Sequence, residues 1–282
     1  MYVGRERSWP EWLEIVRVCE EAGIEGLFIG DHYLSMSREA GEPGRFDAWT
    51  LLGGLAAVTT TIRLGTIVTP VTFRPAAVTA KVVTTADNIS SGRVELGLGA
   101  GWMEAEHRFF GLPFPPLAQR LDMLEEHVVA ITRQWAELEP GPVQRPRPRL
   151  FTGGAGKPRT VALAARHFDE YNRFLIPPEE VAAFRETLDR AGGERVAISI
   201  AANCLITDDR AAEEAFRAVA ASAANRFGEP DRTAVVGSAA RVRDRLEQFA
   251  AAGVSRVYLR HNETHGPAWI ERVAQELLGR IG

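Results

Sequence analysis

The chain lacks several features that would assign its 282 residues to common protein classes. It has only two cysteines, Cys19 and Cys204, and they do not have C-x-x-C spacing, so we expect two buried thiols and no disulfide between them. No apolar run approaches the roughly 20 residues that span a bilayer, and the amino terminus lacks the residue order of a signal peptide. We therefore expect a cytoplasmic protein with no membrane partner.

Basic residues form no stripe along the sequence. The formal net charge is −4, and the charged residues are spread along the chain, so nucleic acid is not an expected partner. No H-E-x-x-H motif and no paired Cys/His spacing is present, and we therefore predict no metal site.

The segments that are present alternate between helical and strand patterns. Apolar residues follow the helical period from Trp9 to Gly23, and 24–30 reads as a buried strand. This alternation indicates right-handed crossovers and a parallel sheet. Further helices are predicted at 47–59, 76–90, 118–136, 157–167, 178–191, 209–227, 239–252 and 268–280, and further strands at 62–68, 93–99, 149–152, 169–174, 196–206 and 254–260.

Counting these strands predicts a barrel. Seven are well defined, and a short one at 1–4 would complete the eight of a (β/α)8 TIM barrel with a truncated first strand. A hydrophobic content of 45% can bury one large core at this length, so we expect a single domain over residues 1–282. Barrel sites lie at the carboxyl ends of the strands, and the long segments 31–46 and 100–117 are both on that side.

In segment 92–102, an apolar strand is followed by small residues. Gly97, Gly99 and Gly101 have G-x-G-x-G spacing and are followed by Trp102, so the dinucleotide-binding fingerprint is not met. Glycines leave the backbone bare for a flat ligand that approaches closely. Tight packing of an ordinary barrel strand is the alternative interpretation.

Asp31 and His32 directly follow a predicted strand, which places them at the rim of the barrel mouth. A histidine in that position can exchange protons near neutral pH. The alternative is a histidine that only holds the loop. His107, in the segment 100–117, is the next candidate.

Two further strand ends have the composition of ligand sites. Segment 63–75 ends in threonines and prolines. This composition fits a bulge that offers backbone amides to a ring, and an ordinary loop is the alternative. In the second, a glycine loop at 153–156 leads into a helix that starts near Pro158, with Lys157 and Arg159 beside it. Free N–H groups and the helix dipole favour a phosphate there, although the P-loop order is absent and a plain tight turn is the alternative.

Taken together, these segments resemble the luciferase-like monooxygenase superfamily, and most closely its branch of coenzyme F420-dependent oxidoreductases. The resemblance covers nearly the whole chain and is carried jointly by the segments 9–12, 30–33, 47–50, 62–66, 71–74, 92–102, 151–156 and 169–172.

The resemblance implies a homodimeric barrel that binds a deazaflavin or flavin at its mouth. It implies a bulge with a non-prolyl cis peptide at Ile67 and Val68 behind the ring. His32 and Asp31 take the catalytic positions. The cofactor-binding positions are Asp31, Thr66, Ile67, Val68, Ala100, Gly101, Trp102, Gly153, Gly154, Ala155 and Gly156.

The expected activity is hydride transfer between coenzyme F420 and a small organic substrate, with a flavin or F420 reductase as the supplier of reduced cofactor. An FMN-dependent monooxygenase that uses reduced flavin and oxygen is the first alternative. A non-catalytic flavin-binding barrel and a structural barrel without a ligand are the others.

Three departures from the family pattern stand out. Some relatives have an acidic proton donor where this chain has Trp102, which indicates a different substrate or mechanism. The first strand is short. A hairpin usual after the position of Trp135 is missing; because it precedes a strand, its loss should spare the mouth and affect stability or dimer contacts.

Overall fold

The computed structural model describes residues 1–3, 7–34, 45–174, 176–224, 234–261 and 266–279. Strands β1 to β9 are Tyr2–Val3, Gly26–Ile29, Arg63–Pro70, Val94–Gly99, Arg149–Gly153, Glu170–Phe174, Ala197–Ile206, Val235–Gly237 and Val254–His261. Helices α1 to α10 are Trp9–Glu21, Ala48–Ala57, Ala76–Ile89, Glu104–Phe110, Leu117–Glu137, Pro158–His167, Pro178–Arg190, Arg210–Ala224, Ala239–Ala251 and Pro267–Leu277.

Eight parallel strands close the predicted barrel. They follow one another in the order β1 to β7 and then β9, with β6 paired to β7 and β9 paired to β1. The short first strand is enough for closure, because Tyr2 pairs with Phe28 on one side and with Arg260 on the other. The (β/α)8 prediction is confirmed, while Gly4 of the predicted first strand lies outside the described residues.

The predicted helices and strands are present, with ends that differ by a few residues. Residues 225–227 and 280, which were predicted to be helical, lie outside the described residues. Local signals account for several helix starts; Ser8 and Glu11 form a capping box at α1, and Asp47 accepts a hydrogen bond from the Thr50 amide at α2.

The sequence patterns missed two elements. Segment 100–117 was predicted as a loop but contains α4, whose seven residues are too few for a helical period to be read; it ends at Gly111 with φ +66°. Strand β8 has three residues and pairs with the far end of β7, outside the barrel. Both are short enough to be decided by tertiary packing.

The hydrophobic residues divide between two places. Most form the layer between the strands and the surrounding helices, in which Leu52, Leu64 and Ile131 are fully buried. A second cluster fills the middle of the barrel interior and consists of Tyr2, Phe28, Phe151, Ala201 and Tyr258. Because strand side chains alternate between faces, the residues two positions before and after Tyr258 also point into the barrel.

Both cysteines are free and buried, in α1 and β7 respectively. Burial raises the pKa of Cys19 to about 11 and that of Cys204 to about 12. These thiols therefore stay protonated and unreactive near neutral pH.

Candidate active site

A cavity of about 370 Å³ opens at the carboxyl ends of the barrel strands. Its volume falls in the range of small-molecule sites. Eight of the residues selected from the sequence line it, namely His32, Ile67, Val68, Ala100, Gly101, Trp102, Gly153 and Gly154. The other lining residues are Tyr2, Pro70, Gly99, Asn172, Phe174, Ala201 and Arg260.

One wall of this cavity is built by β3 and β4. The Ile67–Val68 peptide bond is cis, and the register between the two strands shifts between Thr66 and Thr69, which together make the bulge that the resemblance implies. Gly99 lies against this bulge, because a Cβ added there would be 2.6 Å from Val68 Cγ2. Bare backbone and small apolar side chains therefore form a surface on which a flat ring can lie.

His32 is held at the rim of the cavity by a buried carboxylate. Its Nδ1 lies 2.9 Å from Glu106 Oε1, and Glu106 is only 1% exposed. The other oxygen of Glu106 accepts a hydrogen bond of 3.0 Å from the Tyr33 amide. Because a carboxylate only accepts, Nδ1 donates, and Nε2 remains for a ligand.

Trp102 packs next to this histidine. Its ring centroid is 5.6 Å from that of His32, and the two rings meet edge to face. At the position where the resemblance implies an acid in some relatives, this chain therefore has an aromatic side chain. The buried acid that contacts His32 is Glu106 of α4. The sequence reasoning missed Glu106 because α4 was read as loop.

Asp31 lies behind the cavity wall instead of facing it. It is fully buried, and its Oδ2 accepts hydrogen bonds of 2.7 Å from Arg74 Nη1 and 2.9 Å from Thr69 Oγ1. Burial raises the pKa of Asp31, and the Arg74 guanidinium opposes that shift. Burial alone would lower the pKa of Arg74, but the carboxylates of Asp31 and Asp47 raise the pKa by more. The guanidinium therefore stays charged.

The geometry thus gives Asp31 a positioning task at the end of β2, and its catalytic and cofactor-binding roles remain predictions. Thr66 also lies out of the cavity, fully buried, with Oγ1 3.3 Å from the Gly97 carbonyl oxygen.

Only the first half of the glycine loop 153–156 reaches the cavity. Gly153 and Gly154 line it, whereas Ala155 and Gly156 do not. The Gly156 amide donates to Tyr171 Oη at 3.2 Å, and the Gly154 amide donates to the Asn172 carbonyl oxygen at 3.2 Å. These two amides are therefore engaged within the chain.

The charges around this loop differ from those expected. Arg159 forms an ion pair with Asp122 and donates to the Ala118 carbonyl oxygen, so it turns away from the loop. Arg173 of β6 is closer, and its Nη1 donates 3.0 Å to the Gly154 carbonyl oxygen. Arg173 was not a predicted site residue, because it lies within the strand predicted at 169–174 and not after its end.

His107 is a structural residue. It is fully buried, with Nε2 2.6 Å from Thr72 Oγ1 and Nδ1 2.9 Å from the Met103 carbonyl oxygen. Both ring nitrogens are engaged, so the second histidine candidate has none left for a ligand.

The opposite end of the barrel interior is closed by charge pairs. Arg256 Nη1 lies 2.7 Å from Glu95 Oε2 and 3.5 Å from Glu170 Oε2, and both glutamates are fully buried. Tyr258 Oη donates to Glu170 Oε1 at 2.8 Å, and burial raises its pKa well above the ordinary value. A cavity of about 280 Å³, lined mainly by apolar residues, adjoins this end.

Within the described ranges, no cluster of three or more His, Cys, Asp or Glu side chains has the arrangement of a metal site. In the same ranges, no helix has the length and apolar character needed to cross a membrane.

Comparison with known families assigns the class of the protein. The model of the family described as luciferase-like monooxygenase matches residues 1–231. The chain therefore belongs to the luciferase-like monooxygenase family.

The relatives use two kinds of cofactor. The chain is 25% identical over 253 residues to the FMNH2-dependent dimethylsulfone monooxygenase of Pseudomonas putida, which covers 80% of this chain and 67% of that protein. It is 32% identical over 118 residues to the F420-dependent glucose-6-phosphate dehydrogenase of Amycolatopsis mediterranei, which covers 42% of this chain and 35% of that protein.

The fold has a clear structural counterpart. The coenzyme F420-dependent tetrahydromethanopterin reductase of Methanopyrus kandleri superposes with a TM-score of 0.82 at 18% identity, over 100% of this chain and 98% of that one. At that identity the likeness concerns the fold alone.

Proposed function

We propose that this protein is an oxidoreductase that transfers a hydride between coenzyme F420 and a small organic substrate, with His32 as its acid/base. The observation that carries the proposal is the pairing of His32 Nδ1 with the buried Glu106 at the rim of the cavity. That contact orients the imidazole and assigns its proton, so Nε2 can give or take a proton on the cavity side.

The residues present suit a tricyclic ring. The wall formed by Ile67, Val68 and Gly99 carries only aliphatic side chains, and Gly99 packs against Val68 without a side chain of its own. The backbone of Ala100 and Gly101 continues this surface, and Gly153 and Gly154 would border the phosphate-bearing side chain of the cofactor. The bound deazaflavin would supply or accept the hydride, as cofactors carry the redox chemistry in such enzymes.

The remaining tasks belong to the chain. His32 would deliver the proton that accompanies hydride addition to the substrate, or remove it in the reverse direction. Trp102 shields one side of the imidazole from water. The hydrogen bond from Tyr33 to Glu106 keeps the carboxylate turned towards His32.

An FMN-dependent monooxygenase is the second candidate. It is favoured by the similarity to the dimethylsulfone monooxygenase, which extends over most of this chain. Such an enzyme would receive reduced flavin from a reductase partner. The homodimer implied by the resemblance is part of either proposal.

Titration of the purified protein with each cofactor separates these candidates. We expect quenching of deazaflavin fluorescence on binding of coenzyme F420 and no response to FMN. Tight FMN binding with oxygen consumption would establish the monooxygenase instead. If neither cofactor binds, the barrel has no flavin function.

The role of His32 is tested by His32→Ala. Because Nε2 would be lost and the ring-binding surface kept, we expect coenzyme F420 affinity to change less than about twofold and turnover to fall by ~10²-fold or more. Glu106→Gln should give a smaller fall and alter the pH profile of turnover. His167→Ala, on the outer helix α6 beside Glu125, is the matched control and should leave turnover unchanged. Unchanged turnover in His32→Ala would remove this residue from the mechanism.

A further inference from the structure

The cavity contains one arginine, Arg260, that forms no ion pair with a carboxylate of the described residues. It lines the cavity near the carboxyl end of β9. The ion pairs of the barrel interior engage Arg63, Arg149 and Arg256, and none of them includes Arg260. Arg260 is only partly buried, so its guanidinium can be reached from the cavity and can pair with an anion there.

Two aromatic rings hold this guanidinium in place. Its Cζ lies 5.3 Å from the ring centroid of Tyr2 and 5.5 Å from that of Phe174. Cation–π contacts of this kind orient the planar group and leave its N–H donors for a ligand. The donors of Arg260 have no hydrogen-bond partner among the described residues.

A second polar group beside Arg260 also lacks a partner. Asn203 of β7 is directly opposite Arg260 in the register of the two strands, so both side chains point into the barrel. Asn203 is 6% exposed, and its Oδ1 is buried with no hydrogen-bond partner among the residues that the structure describes. Asn203 is therefore a second polar side chain next to Arg260 on the inner face of the barrel, and an amide can donate through its N–H2 group to an oxygen of an anion.

The position of Arg260 in the barrel separates it from the ring-binding surface. Strand β9 occupies the eighth place around the barrel and β4 the fourth, so Arg260 lies across the cavity from Gly99 and Ala100. A ring lying on β3 and β4 would turn its free face towards Arg260. The glycine loop, where the cofactor phosphate is expected, belongs to β5 and not to this half of the cavity.

We infer that Arg260, with Asn203, binds an anionic oxygen group of the substrate, either a carboxylate or a phosphate. The inference rests on the proposed function only in naming the ligand as substrate. An anion held there would be fixed relative to the ring surface and to His32, which selects substrates that carry the charge at a set distance from the reacting carbon.

Nuclear magnetic resonance of the arginine side chains tests the inference without any cofactor. The protein is titrated with inorganic phosphate, with acetate and with neutral acetamide, and the Arg260 Nε resonance is identified by its loss in Arg260→Gln. We expect a saturable shift with phosphate, acetate or both, and none with acetamide. Which anion binds more tightly decides between a phosphate and a carboxylate.

Isothermal titration calorimetry with phosphate and acetate, which does not need the Arg260 resonance, assigns the binding through variants. Arg260→Gln should weaken binding of the anion at least tenfold, whereas Arg17→Gln, which removes an exposed charge on α1, should change it less than twofold. Retained anion binding in Arg260→Gln, or a loss that follows Arg173→Gln at the glycine loop instead, would overturn the inference.

A parallel cofactor titration distinguishes substrate from cofactor. Arg260→Gln should change the affinity for coenzyme F420 less than twofold, because the ring surface lies across the cavity. A tenfold loss of cofactor affinity would show that Arg260 serves the cofactor and would refute the assignment to substrate. If the wild-type protein binds no cofactor, the proposed function fails and the phosphate and acetate titrations still decide whether Arg260 holds an anion.

Discussion

Arg256 and Arg260 lie four residues apart on the same strand, and both point into the barrel. Arg256, at the amino end, contacts two fully buried glutamates and the hydroxyl of Tyr258. Arg260, at the carboxyl end, contacts two aromatic rings and borders an open cavity. The same residue type therefore closes one end of the barrel and leaves the other end able to bind a ligand.

The difference lies in what the neighbouring strands supply at each level. At the amino end, β4 and β6 provide Glu95 and Glu170, and their carboxylates satisfy Arg256. At the mouth, the same two strands provide Gly99 and Phe174, which carry no charge. We therefore expect stability to depend mainly on the charge pairs at the amino end of the barrel, the lower layer, and the proposed ligand recognition to depend on the mouth, the upper layer.

The largest effect should come from breaking the lower layer. Arg256→Met removes the cation that Glu95 and Glu170 share and leaves each of these buried carboxylates with one arginine partner, Arg63 or Arg149. We expect it to lower the free energy of unfolding by up to ~3–5 kcal/mol, the usual cost of breaking a buried ion pair. Arg260→Met is the matched variant at the mouth and should cost no more than about 1 kcal/mol, because only cation–π contacts are lost. Urea unfolding followed by tryptophan fluorescence measures both. Equal losses in the two variants would contradict the division between the layers.

A smaller effect is expected between the two layers, at Gly97. A Cβ added there would lie 2.3 Å from the Thr66 carbonyl oxygen and 2.7 Å from the Phe151 ring, so Gly97→Ala should lower the free energy of unfolding by ~1–3 kcal/mol.

Gly53→Ala provides the comparison for this variant. Gly53 lies in α2 with open space around its Cα, and alanine there should stabilise the helix by up to about 1 kcal/mol. If thermal unfolding finds Gly97→Ala as stable as the wild type, strands β3 and β4 separate more easily than their packing indicates.

The smallest effect should be a dependence of stability on alkaline pH. The pKa of Tyr258 is raised well above its ordinary value by burial, and burial raises that of Tyr33 at the mouth to about 12. The folded chain therefore keeps phenolic protons that the unfolded chain releases above its pKa of about 10, so stability should fall as the pH rises past that value.

Ultraviolet titration of tyrosinate together with unfolding at several pH values measures this effect. Tyr258→Phe should remove more of the alkaline loss than Tyr33→Phe, because the pKa of Tyr258 is raised further. An unchanged slope in both variants would show that other groups control alkaline stability.

Much of the fold could be predicted from the sequence. Apolar periodicity located seven strands and the helices between them, because each pattern extends over enough residues to fix the face that is buried. The two elements that were missed, α4 and β8, have seven and three residues and depend on contacts with distant segments. The family resemblance added the bulge and the cis peptide at Ile67 and Val68.

The candidate site was predictable where residues follow directly after a strand. His32, Gly101 and Gly153 were found in this way and do line the cavity. Asp31 was selected by the same reasoning but lies behind the wall in contact with Arg74. Arg260 escaped the search because it stands within the strand, although the alternation through Arg256 and Tyr258 would have indicated that it points inward.

The sequence by itself determined the barrel, its family and the strand ends at which a ligand would bind, since these follow from periodicity and short motifs. Tertiary structure decided which side chains meet. It paired Glu106 with His32 and the two buried glutamates with Arg256, over separations of 74 residues or more. It also showed that Gly97 packs against β3 and Phe151 away from the cavity, whereas Gly99 and Gly101 line the cavity. Contacts between residues so distant along the chain depend on the closed barrel, and no local pattern encodes them.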